Sequence, residues 1–508
     1  MRRMPLVSGL AVTTFVVSLP LLSAGTASAF PDSGYTPGAP VWARCSADEP
    51  ANYECATLKV PLDYEKPQGR MIDLAISRIK SPDPSRRHGV MLFNPGGPGT
   101  SGRDLPLFMD KEMNKDVRDQ YDLIGFDPRG VGASSPVTCG LTDSEQNIDR
   151  GFRPETFSDD VAWARTVADK CRAKAGDVLP YITTRNTARD MDTIRAALGE
   201  EKISYLGYSY GTYLGAVYTQ MFPQRSDRFV LDSSVDADPG TVWRGMFWTW
   251  ATETEPAFAR WTKWTAERAD QYQLGSTPEE VSATLWALVA RADKEPIDMG
   301  GQKITGGTIR GMRQMYFYPQ WGATMIKSLK DAADGKASKA TLPPGPAQLD
   351  QGKSSGETPS DNGRAAAFAV FCGDSDRWPR DPKVYEKEAA KAKTEYPVYG
   401  DMAANIKPCA FWDKPLEPAT KITLPSKVLI VQNEWDAQTP LAGAQGMHRT
   451  LKGSKMITAL NGEGHGVYVK DPASCVNAPV NAYLTTGRLP SQDITCQNTD
   501  QTRSQPKP

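Results

Sequence analysis
A serine, a histidine and an aspartate, each following its own apolar run, are the residues of this 508-residue chain best equipped for nucleophilic chemistry. Gly207, Ser209 and Gly211 form a G-x-S-x-G pattern at the end of the apolar stretch 203–208. Such a pattern makes a sharp strand-to-helix turn that leaves the serine hydroxyl exposed at the end of a sheet. The glycines are needed because a Cβ two residues before or after the serine would meet neighbouring backbone, and the turn itself strains ordinary residues. A serine hydroxyl does not ionise at neutral pH, so it needs a base, and histidine has the titration range for that task. The chain has three histidines, His88, His448 and His465. His465 stands between Gly464 and Gly466 just after the apolar run 455–460, as a residue reaching a cleft would. Asp436 follows the run 427–432, and the carboxyl ends of strands are where open α/β sheets build their sites. Ser209, His465 and Asp436 therefore read as nucleophile, base and orienting acid. Glu434 is the rival acid; Asp436 is preferred because Thr439-Pro440 marks the start of a helix that fixes the preceding loop.

A serine nucleophile also needs donors for the oxyanion that forms on its substrate. The apolar run 90–93 delivers the chain into a glycine-dense loop, Asn94-Pro95-Gly96-Gly97-Pro98-Gly99-Thr100-Ser101-Gly102. It lacks the Gly-Lys-Ser/Thr ending of a phosphate-binding loop. The expected donors are the N–H groups of Gly97, where a missing side chain admits the substrate carbonyl, and of Tyr210, the residue after the nucleophile. Pro98 has no N–H to offer.

The apolar runs and their punctuation predict the elements that must hold these groups. Residues 55–62 and 71–79 alternate as a hairpin, and 90–93, 121–126, 203–208, 228–231, 427–432 and 455–460 read as strands, the last of them closing the sheet. Asn186 is expected to cap a helix running to Leu198 with Asp190 in its first turn. Asp127 and Arg129 sit in a turn and read as a structural ion pair or turn hydrogen bond. From Asp236 the character changes to helical patterns carrying Trp243, Trp248, Trp250, Trp261, Trp264 and Trp286, read as an inserted lid whose aromatics mainly pack. Residues 333–364 are polar, with Pro343-Pro344-Gly345-Pro346, and read as a flexible segment inside that insertion. The expected organisation is a leader over 1–29, a core over 30–235, a helical lid over 236–420 and the rest of the core over 421–508.

Arg2 and Arg3 precede an apolar run that ends in Ala27-Ser28-Ala29, the pattern of an export signal cleaved after Ala29. The run is short and polar-interrupted for a membrane span, so no stable membrane anchor is expected. A net charge of −1 argues against nucleic acid as a partner. Eight cysteines in an exported chain imply four disulfides, and although about a hundred pairings exist, near-neighbour pairing is expected: 45 with 55, 139 with 171, 372 with 409, 475 with 496. Scarce histidine and the absence of C-x-x-C argue against zinc, and no metal or cofactor is implied.

Residues 94–99, 127–134, 207–211, 436–440 and 464–466, in that order behind an export signal, resemble the secreted tripeptidyl aminopeptidases, serine exopeptidases of the α/β-hydrolase fold related to prolyl iminopeptidases. The resemblance implies a mostly parallel central sheet flanked by helices, a helical lid, and peptide substrates with free amino termini. Prolyl iminopeptidases commonly carry His-Gly-Gly-Pro, whereas Asn94-Pro95 precede Gly96-Gly97-Pro98 here, which argues against strict prolyl specificity. An aminopeptidase needs a carboxylate for the substrate amine, and Glu463, Asp374 and Asp376 are the candidates. A secreted esterase, lipase or amidase with the same three residues is the alternative enzyme, and an inactive binding protein on this fold is the alternative of another class.

Overall fold
Short apolar runs bounded by Gly, Pro and Asp become the strands of one mixed sheet in the computed structural model, which describes Met1 and residues 35–336 and 358–498. In chain order the strands are β1 (Ala43–Arg44), β2 (Tyr53–Pro61), β3 (Met71–Ile79), β4 (Gly89–Asn94), β5 (Tyr121–Phe126), β6 (Ile203–Tyr208), β7 (Ser226–Asp232), β8 (Ile297–Met299), β9 (Gln302–Ile304), β10 (Val428–Trp435), β11 (Lys455–Glu463) and β12 (Ile494–Gln497). Ten of them lie in the order β1-β2-β3-β5-β4-β6-β7-β10-β11-β12, while β8 and β9 pair separately. The β1–β2, β2–β3 and β3–β5 pairs are antiparallel, and every later pair in the sheet is parallel. Parallel pairing aligns Asn94 with Gly207, Tyr208 with Asp232, and Asp232 with Val431. The residues leaving β4, β6, β7, β10 and β11 therefore emerge along one edge, where such sheets bind ligands.

Burial explains why these strands are apolar at every position rather than alternating. β4 and β6 are buried throughout, as helices cover both faces of a parallel sheet. Met91, Phe93, Leu206, Val230, Leu429, Val431 and Ile457 pack against Leu105, Met109, Val480 and Leu484 on one face. The hairpin and the strands expected over 90–93, 121–126, 203–208, 228–231 and 427–432 all form, those over 71–79, 121–126 and 203–208 with the expected ends and the others with ends moved by one to three residues. Two expectations need correction. Thr183, whose side chain accepts from Asn186 N–H, caps the helix Thr184–Ala197 in place of Asn186. The strand over 455–460 is not the last, because Ile494–Gln497 adds β12 beyond it, a segment too polar to stand out.

The chain divides into two units, Met1–Asp32 and Ser33–Pro508. The expected signal and its cleavage point lie outside the described residues, as do 337–357 of the expected flexible segment. The end of that segment is ordered. Asp361 accepts from Cys139 and Leu141 N–H, each at 2.9 Å, and Asn362 donates to the Gly130 and Val137 carbonyls. These bonds seat the helix Asn362–Gly373 on the turn after β5. The insertion has its own core of Trp261, Leu285, Tyr316 and Ile326. The four disulfides join Cys45 to Cys55, Cys139 to Cys171, Cys372 to Cys409 and Cys475 to Cys496, the near-neighbour pairing. No helix among the described residues is long and apolar enough to cross a membrane.

A buried ion pair and a buried carboxyl tie this frame together. Arg129 does not pair with Asp127; it grips Asp190 through two bonds of 2.7 and 2.6 Å, and both side chains are fully buried. Asp374 accepts from Thr184 N–H at 2.8 Å, from the Thr184 hydroxyl at 2.6 Å and from Trp243 Nε1 at 3.1 Å. It thus caps a core helix and anchors the first tryptophan of the lid, and burial pushes its pKa up to about 6 against the pull of those donors.

Asp190→Ala leaves a buried guanidinium uncompensated and is expected to cost about 3–5 kcal/mol of stability, more than the double change Arg129→Met/Asp190→Leu. Denaturant unfolding checks this, and equal losses would contradict it. For Asp374 the folded carboxyl holds its proton to higher pH than the unfolded one, whose ordinary value is 3.8. Its contribution to stability therefore falls as pH rises from about 4 to about 6, by on the order of 2–3 kcal/mol, and is level above that. The stability difference between wild type and Asp374→Asn is expected to follow that curve, and a pH-independent difference would contradict it.

Candidate active site
The strand β6 ends in a residue whose backbone only a demanding turn would tolerate: Ser209 has φ 58° and ψ −123°. Non-glycine residues at positive φ are strained and cluster at functional sites. A Cβ on Gly207 would lie 2.5 Å from the Gly211 carbonyl oxygen, and one on Gly211 would lie 2.8 Å from Asn94 Oδ1. Both glycines are therefore fixed by close approach. Ser209 N–H donates to the Asp232 carbonyl at 3.0 Å, and the Ser209 carbonyl accepts from Thr212 N–H as the helix Tyr210–Met221 begins.

The glycine loop after β4 is pressed against this turn. A Cβ on Gly96 would sit 2.6 Å from the Ser209 Cβ, and Gly96 N–H is held by the Asn94 side chain at 3.0 Å. Gly97 follows at φ 104°. Gly99 rests on the first turn of Asn362–Gly373, where a Cβ would come within 2.1 Å of the Gly363 oxygen. The far end of the loop is tied by Asp127, which accepts from Gly102 and Arg103 N–H at 3.2 and 3.1 Å. Asp127 is thus a turn anchor, as its position in the sequence implied. Gly97 and Tyr210 stand on the two segments that flank Ser209.

At the end of β10 the Asp436 carboxylate is fully buried and lies with both oxygens 3.0 Å from His465 Nδ1. It also accepts from Gln438 N–H at 2.8 Å, Thr439 N–H at 3.0 Å and the Thr439 hydroxyl at 3.0 Å. Burial alone would raise its pKa, but the imidazole and these donors outweigh burial and hold it below the ordinary carboxylate value. Glu434 instead accepts from Asn461 N–H of the neighbouring strand β11. His88 pairs with Asp227 and His448 with Asp493, so of the three histidines only His465 meets the acid at this edge.

The His465 loop is fixed on two sides. Gly466 N–H donates to Ser233 Oγ at 2.8 Å, and Val467 and Tyr468 N–H donate to the Asp232 carboxylate at 3.0 and 2.8 Å. Asp232 therefore binds the serine turn through its carbonyl and the histidine loop through its carboxylate. Burial pushes its pKa up to about 7 against those donors. From the lid, Tyr318 OH accepts from His465 N–H at 3.2 Å, Trp250 Nε1 donates to the Gln438 carbonyl at 2.6 Å, and Arg313 donates to the Ala437 carbonyl. Of these residues the sequence marked only Trp250, and as a packing aromatic, not as a donor to the acid loop. Asp232-Ser233 at a strand end was a usable signal; the lid residues, more than a hundred positions from the loops they touch, left none.

The three carboxylates expected to meet a substrate amine are placed otherwise. Glu463 is ion-paired with Arg260 of the lid helix Arg244–Ala266, whose guanidinium lies 4.4 Å from the Trp435 ring centroid. Asp374 is buried and taken by Thr184 and Trp243, and Asp376 is solvent-exposed beside Arg377. None of them is an open carboxylate in a cleft, because adjacency to Gly464-His465 or to a helix end does not say which neighbours fold back on a side chain.

Two family models match the chain, one described as alpha/beta hydrolase fold over residues 89–335 and one as TAP-like protein over residues 396–496. The tripeptidyl aminopeptidase of Streptomyces lividans is 36% identical over 478 residues, covering 90% of this chain and 86% of that protein. The serine protease Hip1 of Mycobacterium tuberculosis is 29% identical, covering 90% of this chain and 91% of that protein. Carboxylesterase B of Mycobacterium tuberculosis is 31% identical, covering 97% and 99%. Similarity sustained over nine-tenths of the sequence, on this sheet and around this serine turn, means that the chain belongs to the tripeptidyl aminopeptidase family, serine hydrolases of the α/β-hydrolase fold.

Proposed function
We propose that the protein is an exported serine exopeptidase that releases tripeptides, or similarly short units, from peptides with a free amino terminus. The observation that carries the reading is the buried Asp436 held against His465 Nδ1 at the same sheet edge as the strained Ser209 turn. Ser209 Oγ attacks the scissile carbonyl while His465 takes its proton; the imidazolium then protonates the leaving amine, and water repeats the sequence on the acyl-enzyme. Asp436 fixes the tautomer with Nδ1–H toward itself and steadies the imidazolium charge. The N–H groups of Gly97 and Tyr210 receive the oxyanion, each worth about 10²–10³ in turnover. Release of tripeptides is supported by the similarity to the Streptomyces enzymes.

An esterase is the second reading, favoured by the similarity to carboxylesterase B. Both readings share the acyl-enzyme and differ in the acyl group. Export is supported by Ala27-Ser28-Ala29 and by four disulfides, which form in oxidising compartments.

The test of substrate class is product analysis by mass on a tetrapeptide amide, its amino-acetylated counterpart and a p-nitrophenyl ester. The expected result is cleavage after the third residue, abolished by acetylation; ester turnover without peptide cleavage would make the enzyme an esterase. Ser209→Ala and Asp436→Asn are each expected to lower kcat by about 10⁴-fold or more in either case. Protein recovered from the medium is expected to begin at Phe30, and retention in the cell with Met1 intact would contradict export.

A further inference from the structure
The lid contains a buried charge with no ion-pair partner among the described residues, the carboxylates of Asp149 and Asp436 acting on it only from further away. Arg313, in the short turn Arg313–Tyr316, is 3% exposed, and no carboxylate among the described residues forms an ion pair with it. Its guanidinium lies 4.2 Å from the Trp250 ring centroid and 5.2 Å from that of Tyr399, and burial pulls its pKa down. Burying a charge in this way is costly unless its hydrogen bonds serve something the fold needs. Its bond to a backbone group is to the carbonyl of Ala437, the residue directly after Asp436.

The loop it touches explains the arrangement. Inside the turn, the Asp436 carboxylate gathers the N–H groups of Gln438 and Thr439, so the carbonyls of that turn face outward and need donors of their own. The core supplies one, since Gln432 Nε2 donates to the Thr439 carbonyl at 2.9 Å. The other two donors come from the lid, Arg313 to Ala437 and Trp250 Nε1 to Gln438. Arg313 stacks on the Trp250 ring, so the two donors brace each other. Tyr318 of the lid also accepts from the backbone N–H of His465.

We propose that Arg313 is a positioning residue for catalysis: a lid-borne guanidinium that holds the acid loop, so that Asp436 orients His465 only while the lid is seated. The lid is then part of the hydrolytic machinery as well as a wall of the cleft. This rests on Ser209, His465 and Asp436 acting as proposed above.

The experiment compares wild type, Arg313→Met, Arg313→Lys and Trp250→Phe on p-nitrophenyl acetate, whose acyl group is too small to need the lid for binding, and on a cleavable peptide. Ser209→Ala is the control: wild-type turnover that does not depend on Ser209 would overturn the catalytic reading itself. The expected result is a roughly 10–100-fold fall in kcat for Arg313→Met on both substrates with KM for the acetate unchanged, since small misplacements of catalytic groups carry losses of that size. Arg313→Lys, which keeps a cationic donor, should recover part of the rate. Trp250→Phe, which removes one donor and keeps the ring, should lose about 3–10-fold. If Arg313→Met does not fold, the other two variants decide. Wild-type kcat on the acetate in the folded variants, or an effect confined to KM for the peptide, would overturn the proposal.

Discussion
A fully buried carboxylate stays ionised only when enough donors surround it, and that requirement at Asp436 organises the upper edge of this molecule. The turn Asp436-Ala437-Gln438-Thr439 folds its N–H groups inward to meet the carboxylate. Doing so exposes three carbonyls that must be met in turn, one by Gln432 of β10 and two by the lid. The imidazole of His465 completes the shell and is thereby oriented. Satisfying one charge thus draws in the core, the lid and the base together.

A second constraint comes from the sheet. Parallel register sets Asp232 beside Tyr208 on one strand and Val431 on the next, between the serine turn and the acid loop. Its carbonyl takes Ser209 N–H and its carboxylate takes the N–H groups after His465, so a single residue spans the distance between nucleophile and base. Ser233, at φ 60°, adds the bond to Gly466. Arg129 with Asp190, and Asp361 with Asn362, do comparable work one layer further out, fixing the turn after β5 against the helix Thr184–Ala197 and the returning lid. The segments that carry Ser209 and His465 are thus each tied by backbone hydrogen bonds to Asp232.

Much of this was legible in the sequence, for physical reasons. A buried parallel strand is an unbroken apolar run, so β4, β5, β6 and β10 stood out, and the glycines around Ser209 announced close backbone approach that the Cβ clashes bear out. The cysteines pair with their neighbours in sequence, at separations of 10, 32, 37 and 21 residues. β12 was invisible because Ile494-Thr495-Cys496-Gln497 is polar enough for a loop and gains strand form only by pairing with β11. The fate of Glu463 was invisible because its partner, Arg260, is brought from the lid by folding. The same holds for Arg313, Trp250 and Tyr318: long-range contacts of a helical insertion leave no local pattern to read.

The most direct measurement is where a fluorophosphonate attaches, read by intact mass and peptide mapping on the wild-type protein and on His465→Ala. One adduct per chain on the peptide containing Gly207 to Gly211, formed rapidly in wild type and far more slowly without the imidazole, is the predicted result. Adducts on another serine, or unimpaired labelling of Ser209 in the histidine variant, would contradict the account.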